Sequence, residues 1–115
     1  GAIVTLSSSL GTKPVKNCIG YSPAKAAICQ LTQNLALELA PNIRVNTVAP
    51  SYIDTPMTRR EPEKDAMRQA LVANYPLQRI GYIEDVTPAI LYLLSDQASF
   101  ITGEILRVSG GGHLR

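Results

Sequence analysis

Three short stretches predicted as β-strands, separated by helical stretches, constrain the fold of this chain more than any other feature. Ala2 to Leu6 is an apolar, β-rich run without alternation, and Ile43 to Ala49 and Ile105 to Val108 are predicted as two further strands. Non-alternating runs are typical of strands covered on both faces, as in a parallel sheet. Because strands and helices alternate along the chain, the sequence predicts an α/β fold with right-handed crossovers.

The first helix is predicted from its bounding prolines and its apolar spacing. It begins around Tyr21, where Pro23 suits a first turn because the missing N–H has no partner there, and it ends before Pro41 and Asn42. Five residues at helical spacing form one apolar stripe: Ala24, Ile28, Leu31, Leu35 and Leu39. Small residues on the same helix favour close approach of another helix.

The remaining segments are predicted less sharply. Ser51 to Thr58 is a polar loop, and Arg59 to Asn74 is charged and weakly helical. Glu84 to Ser95 is an apolar helix in which Pro88 is poorly placed, so either this helix starts near Thr87 as N-cap or its first turn is distorted. Two glycine-bearing stretches, 12–20 and 109–112, are expected to be a loop and a flexible segment, followed by a tail.

A tyrosine and a lysine share one face of the first helix. Tyr21 and Lys25 are four residues apart, and Ser8 stands thirteen residues before the tyrosine. A phenol titrates near pH 10, and a nearby ammonium lowers the pKa of a phenol. The pair therefore favours general acid/base chemistry, with a serine hydroxyl available to hold a substrate oxygen. A lone pair with this spacing also fits a half-buried tyrosine above an exposed lysine.

Polar residues follow two of the predicted strands at their carboxyl ends. Ser7 to Ser9 follow the first strand and the loop from Ser51 to Thr58 follows the second. In parallel sheets, ligands bind at the carboxyl ends of the strands. The helix with Tyr21 and Lys25 starts between these two segments, so the sequence predicts that all three meet at one edge of the sheet.

Composition excludes several other classes of protein. The 115 residues allow one domain at most, and their net charge of +2 indicates neither a nucleic-acid groove nor a membrane surface. There is no apolar run long enough to span a membrane. Cys18 and Cys29 are too few for a disulfide framework and have no histidines nearby, so we expect reduced thiols in a cytoplasmic protein without a metal site. Because the chain starts directly on a strand, we expect it to be a piece of something longer.

Seven segments resemble one family in their order along the chain. They are Ile3-Val-Thr-Leu-Ser-Ser-Ser-Leu-Gly11, Tyr21-Ser-Pro-Ala-Lys25, Arg44-Val-Asn-Thr-Val-Ala-Pro50, Asp54-Thr-Pro-Met-Thr58, Pro76-Leu-Gln-Arg-Ile-Gly81, Glu84-Asp-Val86 and Ser95-Asp-Gln-Ala-Ser-Phe-Ile-Thr-Gly103. Together they resemble the C-terminal half of a short-chain dehydrogenase/reductase. The resemblance implies that residues 1–115 are the catalytic half of a Rossmann-type doubly wound parallel sheet, with three strands and helices on both faces, whose N-terminal cofactor-binding half is absent.

The resemblance also implies catalytic roles. Tyr21 would be the acid/base for the substrate hydroxyl, Lys25 would bind the nicotinamide ribose and lower the tyrosine pKa, and Ser8 would hold the substrate oxygen together with Tyr21. Ser7 and Ser9 would be bystanders whose hydroxyls are satisfied locally.

The cofactor implied by the resemblance is NAD or NADP. Its expected contacts are Tyr21, Lys25, Pro50, Ser51, Ile53 and Thr55. Among these, Ile53 would bind the carboxamide through its backbone and Thr55 through its side chain. Residues from about Met57 to Asn74 would form a mobile lid over the substrate.

Departures from the family are concentrated in the cofactor cradle. The family's glycine-rich turn is missing, as are the residue that separates NAD from NADP and the asparagine of the proton relay, and Gly110 to Gly112 are no substitute. Ser51 replaces a usual glycine and would be strained if it required a positive φ. Ser109 replaces a usual aspartate, and Pro88 is unusual in its helix.

The function implied is NAD(P)-dependent oxidoreduction between an alcohol and a ketone. The resemblance further implies a small-molecule alcohol or carbonyl substrate and a homo-oligomer, tetramer or dimer, formed through helices. The alternative is a non-catalytic fragment or interaction module that lacks the cofactor cradle. Binding of a nicotinamide cofactor discriminates between the two.

Several side chains have two interpretations from sequence. Arg59 and Arg60 either meet an acidic substrate or lie on a solvated lid face. Tyr52 and Tyr75 either line the substrate pocket or are half-buried loop residues. Cys29 is expected to be a packing residue, and His113 is expected to be a solvated tail residue.

Overall fold

The computed structural model describes residues 1–59 and 63–115. Its strands are β1 (Ala2–Leu6), β2 (Arg44–Pro50) and β3 (Ile105–Val108). Its helices are α1 (Tyr21–Leu39), α2 (Pro56–Arg59), α3 (Glu63–Asn74) and α4 (Ile83–Leu94). Three short 3-10 turns complete the described structure at Ser9–Gly11, Asp96–Ala98 and Gly112–Leu114.

The strands form the expected parallel sheet in the order β1-β2-β3. Thr5 lies opposite Thr47, and Thr47 lies opposite Ile105. The second strand starts one residue later than predicted because the Ile43 N–H bonds to the Leu39 carbonyl and so still belongs to the turn after α1. Residues 45–49 of β2 are all buried, because helices cover this central strand on both faces.

Helices cover both faces of the sheet, which confirms the predicted fold class. On one face the Thr5 hydroxyl lies 2.7 Å from the Thr32 hydroxyl of α1. On the other face Val48 packs with Val86 and Leu93 of α4 in the hydrophobic core. Successive side chains of a strand point to opposite faces, which explains how one sheet supports both helices.

Two polar side chains at the start of β2 fasten the end of α4 to the sheet. The Arg44 guanidinium donates to the carbonyls of Leu93 and Ser95 at 2.9 Å each, at the end of α4 where carbonyls lack helical partners. The Asn46 amide donates to the Ile101 carbonyl and accepts from the Glu104 N–H. The Arg-Val-Asn sequence therefore fixes the turn that leads into β3.

The face that α1 buries differs from its apolar stripe. Ala24 and Leu31 of the stripe are exposed, and the buried residues are Cys29, Thr32 and Ala36. Thr32 is fully buried because its hydroxyl is satisfied by Thr5 and by the Ile28 carbonyl. Cys29 is a packing residue, as expected.

Of the two alternatives predicted for the apolar helix, a start near Thr87 with that residue as N-cap is wrong. The fourth helix begins at Ile83, after Tyr82 in extended conformation, and the Asp85 carboxylate accepts the Tyr82 N–H at 2.8 Å. Thr87 lies inside the helix and donates its hydroxyl to the Ile83 carbonyl at 3.0 Å. The helix ends at Leu94, one residue before the predicted end.

Two segments have more structure than predicted. The loop after β2 turns into α2 before Thr58, and residues 112–114 form a 3-10 turn rather than a tail. Ser109 is buried, and its hydroxyl lies 2.7 Å from Nδ1 of the exposed His113. A side chain at Gly111 would come within 2.6 Å of Pro76 Cγ, so this position requires glycine as much for space as for its positive φ of 83°.

The weakly helical stretch is confirmed as α3, with α2 preceding it. Arg60 and the adjoining part of the predicted lid lie outside the described residues. No helix in the described ranges has the length and apolar character needed to cross a membrane.

Candidate active site at the carboxyl edge of the sheet

The end of β1 is joined to α1 through a serine. Ser7, Ser8 and Ser9 are all buried. The Ser7 hydroxyl donates to the Lys25 carbonyl at 2.7 Å and lies 3.1 Å from the Cys29 sulfur, so its partner is a distant helix rather than a local group. Ser7 therefore holds the strand end against the helix that starts at Tyr21.

The Ser8 hydroxyl keeps a free proton. Ser8 is extended and accepts the Leu10 N–H at 3.2 Å, which starts the 3-10 turn. This is the one hydrogen bond of the Ser8 hydroxyl within residues 1–59 and 63–115. Because the oxygen acts there as an acceptor, its O–H remains available to donate to another oxygen.

Lys25 connects the tyrosine to the strand end. Its ammonium lies 5.7 Å from the centre of the Tyr21 ring and donates to the Leu6 carbonyl at 3.3 Å. The Tyr21 side chain is about half exposed, at 50%. The turn after Ser8 approaches the helix closely, since a Cβ on Gly11 would lie 2.6 Å from the Lys25 carbonyl carbon. Ser8, Tyr21 and Lys25 are thus brought to the same edge of the sheet, as the sequence predicted.

The loop after β2 is held from below by the connector before α4. Ile53 forms a parallel bridge with Gly81, and the Asp54 N–H donates to the Gly81 carbonyl at 2.9 Å. The Ser51 N–H donates to the Val108 carbonyl at the end of β3. Ser51 does not share the positive φ found at Asn17, so the strain considered for a serine at this position does not arise.

The two loop tyrosines have structural partners. Tyr75 is buried, and its hydroxyl oxygen accepts the Tyr52 N–H at 3.4 Å. The Tyr75 ring also packs closely against Gly112, because a Cβ added to Gly112 would lie only 2.5 Å from Cε1 of Tyr75. The Tyr52 hydroxyl donates to the Thr58 carbonyl at 3.0 Å. Tyr75 therefore packs between the loop after β2 and the 3-10 turn at Gly112–Leu114.

A small cavity lies behind Ser51, between the carboxyl ends of β2 and β3. Its volume is about 130 Å³, and Ile80, Val108 and Ser109 contribute to its walls. At its rim Arg79 and Asp85 form a two-pronged ion pair at 2.7 and 2.8 Å. The Arg79 hydrogen bond, with help from the Tyr82 N–H, lowers the pKa of Asp85 to about 2.

The substrate-facing segment expected from the resemblance is more exposed. Arg59 is paired with Asp54 through two bonds of 2.7 and 3.1 Å, and this pairing holds the pKa of the Asp54 carboxyl below its ordinary value. The positive charge of Arg59 is therefore already paired with the Asp54 carboxylate. On α3, Arg68 and Val72 help to line a shallow, open groove.

Known proteins match this chain over nearly its whole length. A family model described as Enoyl-(Acyl carrier protein) reductase matches residues 1–113. The 3-oxoacyl-(acyl-carrier-protein) reductase of Thermotoga maritima is 42% identical over 112 residues, which are 96% of this chain and 45% of that protein. The chain belongs to the short-chain dehydrogenase/reductase family. The predicted family is thereby confirmed, and the chain spans about half the length of the curated relatives it matches.

Solved structures of this family have the same architecture. A 4-hydroxyisoleucine dehydrogenase complexed with NADH matches 100% of this chain and 48% of its own, with a TM-score of 0.93 and 34% identity. A small-chain dehydrogenase in complex with NADPH matches 100% of this chain and 52% of its own, with a TM-score of 0.91 and 34% identity. The three strands and their helices are therefore a fragment of the fold of this family.

Sequence reasoning missed one residue of this edge. The hydroxyl of Thr58 lies within 2.9 Å of backbone atoms of both Ile53 and Thr55. Spacing carries no signal for such a contact, because it depends on how the loop folds back into α2.

Proposed function

We propose that the protein containing these residues is an NAD(P)-dependent oxidoreductase that interconverts a small-molecule alcohol and its ketone. The observation that carries the proposal is the position of the Lys25 ammonium. It lies beside the Tyr21 ring and donates to the Leu6 carbonyl, two residues before Ser8. A phenol, an ammonium and an uncommitted serine O–H at one edge are the groups needed to move a proton onto or off an oxygen.

The chemistry of the side chains fits the nicotinamide end of the cofactor. The Lys25 ammonium and Tyr21 phenol suit the hydroxyls of a ribose, and the hydroxyl of Thr55 suits a carboxamide. The residues proposed to contact the cofactor are Tyr21, Lys25, Pro50, Ser51, Ile53 and Thr55. The family members described above that were solved with NADH and with NADPH support a nicotinamide dinucleotide as the cofactor without choosing between the two.

The bound nicotinamide supplies or accepts the hydride. In reduction, the Tyr21 hydroxyl gives its proton to the ketone oxygen, and in oxidation the phenolate takes the proton of the alcohol. The positive charge of Lys25 stabilises that phenolate. The Ser8 O–H donates to the same substrate oxygen and so orients the reacting carbon. The segment over the substrate, from Met57 to Asn74, selects the substrate.

Residues 1–115 form the C-terminal, catalytic half of one Rossmann domain in this proposal, and the N-terminal half carries the pyrophosphate cradle. The outer edge of β1 supports it. Within the described residues this strand has a neighbouring strand on one side only, and Ile3 and Leu6 are 40% and 51% exposed. A further strand of a larger sheet would pair with the backbone edge of β1, and the helices of that sheet would cover these apolar side chains.

The proposed assembly is a homo-oligomer, dimer or tetramer, in the cytoplasm. Support comes from α1, where Leu31 and Leu37 are 51% and 82% exposed although they are large and apolar. Contact with a second copy of the protein along this helix would cover such exposed apolar side chains. Both cysteines are free thiols, as a reducing compartment would keep them.

Direct binding tests the proposed function. The full-length protein is titrated with NADH and with NADPH, and consumption of the reduced cofactor is then followed with a panel of ketones. The expected result is saturable binding of at least one cofactor and turnover of at least one ketone. Absence of binding to both cofactors would contradict the proposal and favour a non-catalytic interaction module.

A further inference from the structure

One side chain closes the loop after β2. The Thr58 hydroxyl oxygen accepts the Thr55 N–H at 2.9 Å. The same hydroxyl lies 2.8 Å from the Ile53 carbonyl oxygen and 2.9 Å from the Thr55 carbonyl oxygen, and it is the donor in both contacts. These are the two residues whose backbone and side chain are proposed to meet the nicotinamide carboxamide.

The valence of a hydroxyl limits how these contacts are made. A threonine hydroxyl has one proton and two lone pairs. The proton is shared between the two carbonyls, and one lone pair receives the Thr55 N–H. The other lone pair faces the Thr55 hydroxyl at 3.4 Å, a long contact. A single side chain thus fixes the orientation of the Ile53 carbonyl and of the Thr55 peptide.

This arrangement leaves the Thr55 hydroxyl available. Thr55 precedes α2, and a threonine in that position ordinarily caps the helix by accepting a backbone N–H of the first turn. Here the Thr58 N–H bonds instead to the Thr55 carbonyl at 2.9 Å, and the Thr58 side chain satisfies the Thr55 N–H, as the third residue of a capping box does. Over the described ranges, the long contact to Thr58 is the one hydrogen bond of the Thr55 hydroxyl.

Thr58 is itself held in place. The Tyr52 hydroxyl donates to the Thr58 carbonyl at 3.0 Å. The next residue, Arg59, returns to the loop through its two bonds to Asp54. Both contacts fasten α2 to the loop that precedes it, so the position of the Thr58 hydroxyl is set before any ligand arrives.

We propose that Thr58 is a positioning residue for cofactor binding. Its hydroxyl holds the Ile53 carbonyl and frees the Thr55 hydroxyl, so that both are presented to the carboxamide of the nicotinamide. This inference rests on the proposed function. It further implies that Thr58 acts on the nicotinamide end of the cofactor and not on its adenosine end.

A pair of substitutions separates this role from a general structural one. Thr58→Val removes the hydroxyl at nearly constant shape, and Thr58→Ser restores it. In the full-length protein, affinity is measured for NADH and for ADP-ribose, which lacks the nicotinamide; NADPH and 2′-phospho-ADP-ribose replace them if the protein prefers NADPH. Thr58→Val is expected to weaken NADH binding about tenfold, the effect of one lost hydrogen bond, and to leave ADP-ribose binding unchanged.

A second readout requires no ligand. Exchange of the Thr55 amide hydrogen with solvent is expected to accelerate in Thr58→Val and to match the wild type in Thr58→Ser, because the amide loses and regains its acceptor. NADH affinity of Thr58→Ser should likewise return to near the wild-type value.

The outcomes distinguish failure of the proposed role of Thr58 from failure of the proposed oxidoreductase function. Wild-type protein that binds neither cofactor overturns both. Wild-type binding with an unchanged affinity in Thr58→Val overturns the inference alone. Equal losses for NADH and ADP-ribose, or a Thr58→Ser variant as weak as Thr58→Val, would mean that Thr58 supports the fold in general, which also overturns the inference.

Discussion

The two sides of the candidate site differ in how firmly the protein holds them. On one side, the start of α1 is bonded to the end of β1 through the buried Ser7, and the same helix buries Thr32 against Thr5. On the other side, α3 has no buried side chain among its described residues 65–74. Met67 on this helix is 46% exposed. The groups proposed to hold a reacting oxygen lie on the packed side, whereas the segment proposed to select the substrate lies on the exposed side.

This difference bears on two separate questions, the class of reaction and the choice of substrate. The packed side is built from sheet and helix contacts, so the groups proposed to transfer a proton are placed with little freedom. The exposed side contacts the rest of the protein weakly, so substitutions there should cost little stability, and under the proposed function they should alter substrate choice. The proposed reaction class therefore rests on α1, whereas substrate preference must be measured.

Removing the phenol on the packed side should have the largest effect. In the full-length enzyme, Tyr21→Phe is expected to lower kcat/KM by about 10²- to 10⁴-fold, because the ketone oxygen loses its proton donor. Thermal unfolding should change little since the side chain is half exposed. The matched control is Tyr92→Phe, a tyrosine 42% exposed on α4. Similar activity in the two variants would contradict the assignment of Tyr21 as the proton donor.

The second test breaks the contact that makes this side rigid. Thr32→Val should lower the free energy of unfolding by about 1–3 kcal/mol, because the partly buried Thr5 hydroxyl loses its close partner. Thr87→Val is the control, since the exposed Thr87 makes the same bond to a carbonyl four residues earlier. Urea unfolding measures both. If the two variants lost equal stability, burial of Thr32 would not be what stabilises α1 on the sheet.

The third test concerns the ion pair beneath the loop and has a pH signature. Asp85 has a pKa of about 2 in the folded protein, below its ordinary 3.8, so its contribution to stability is present above pH 3.8 and is lost as the pH falls towards 2. Asp85→Asn should therefore be less stable than the wild type at neutral pH, by less than about 1 kcal/mol because the pair is partly exposed.

The same gap should close in acid. Unfolding free energies of the wild type and Asp85→Asn are compared across the acid range, with Asp65→Asn on exposed α3 as the control for loss of a charge. A gap of constant size down to pH 2 would contradict the role of the Arg79 pair.

The smallest effect is expected on the exposed side. Met67→Gln should change the free energy of unfolding by less than about 0.5 kcal/mol, whereas Leu93→Ala in the core should cost about 2–5 kcal/mol. In the full-length enzyme, Met67→Gln should alter the ratio of kcat/KM for a small and a bulky ketone. A large loss of stability would show that α3 is packed after all.

The sequence predicted what depends on local pattern. Two strands, β1 and β3, agree with the structure to the residue, and α1 begins at Tyr21, close to where its start was predicted. The buried face of α1 was not predicted, because Thr32 is polar and is buried only through its bond to Thr5, which hydropathy cannot register. Thr87 was misjudged because the capping partner of α4 is Asp85, whose bond to the Tyr82 N–H starts the helix earlier.

For the site, spacing predicted that Tyr21 and Lys25 lie close together, since residues four positions apart share one face of a helix. Order along the chain placed Ser8 at the same edge because parallel strands end together. Hydroxyl partners remained invisible: Ser7 bonds to Lys25 and Thr58 bonds to Ile53 only once the chain has folded. Small polar side chains have many potential partners, and tertiary structure selects among them.

The most direct test of the account is a crystal structure of the full-length protein with its preferred nicotinamide cofactor. We predict that Lys25 and Tyr21 contact the nicotinamide ribose, that the Thr55 hydroxyl meets the carboxamide, and that the Tyr21 and Ser8 hydroxyls face one open position beside the ring. A nicotinamide bound away from this edge, with Tyr21 remote from the ring, would contradict the central claim that this edge performs the chemistry.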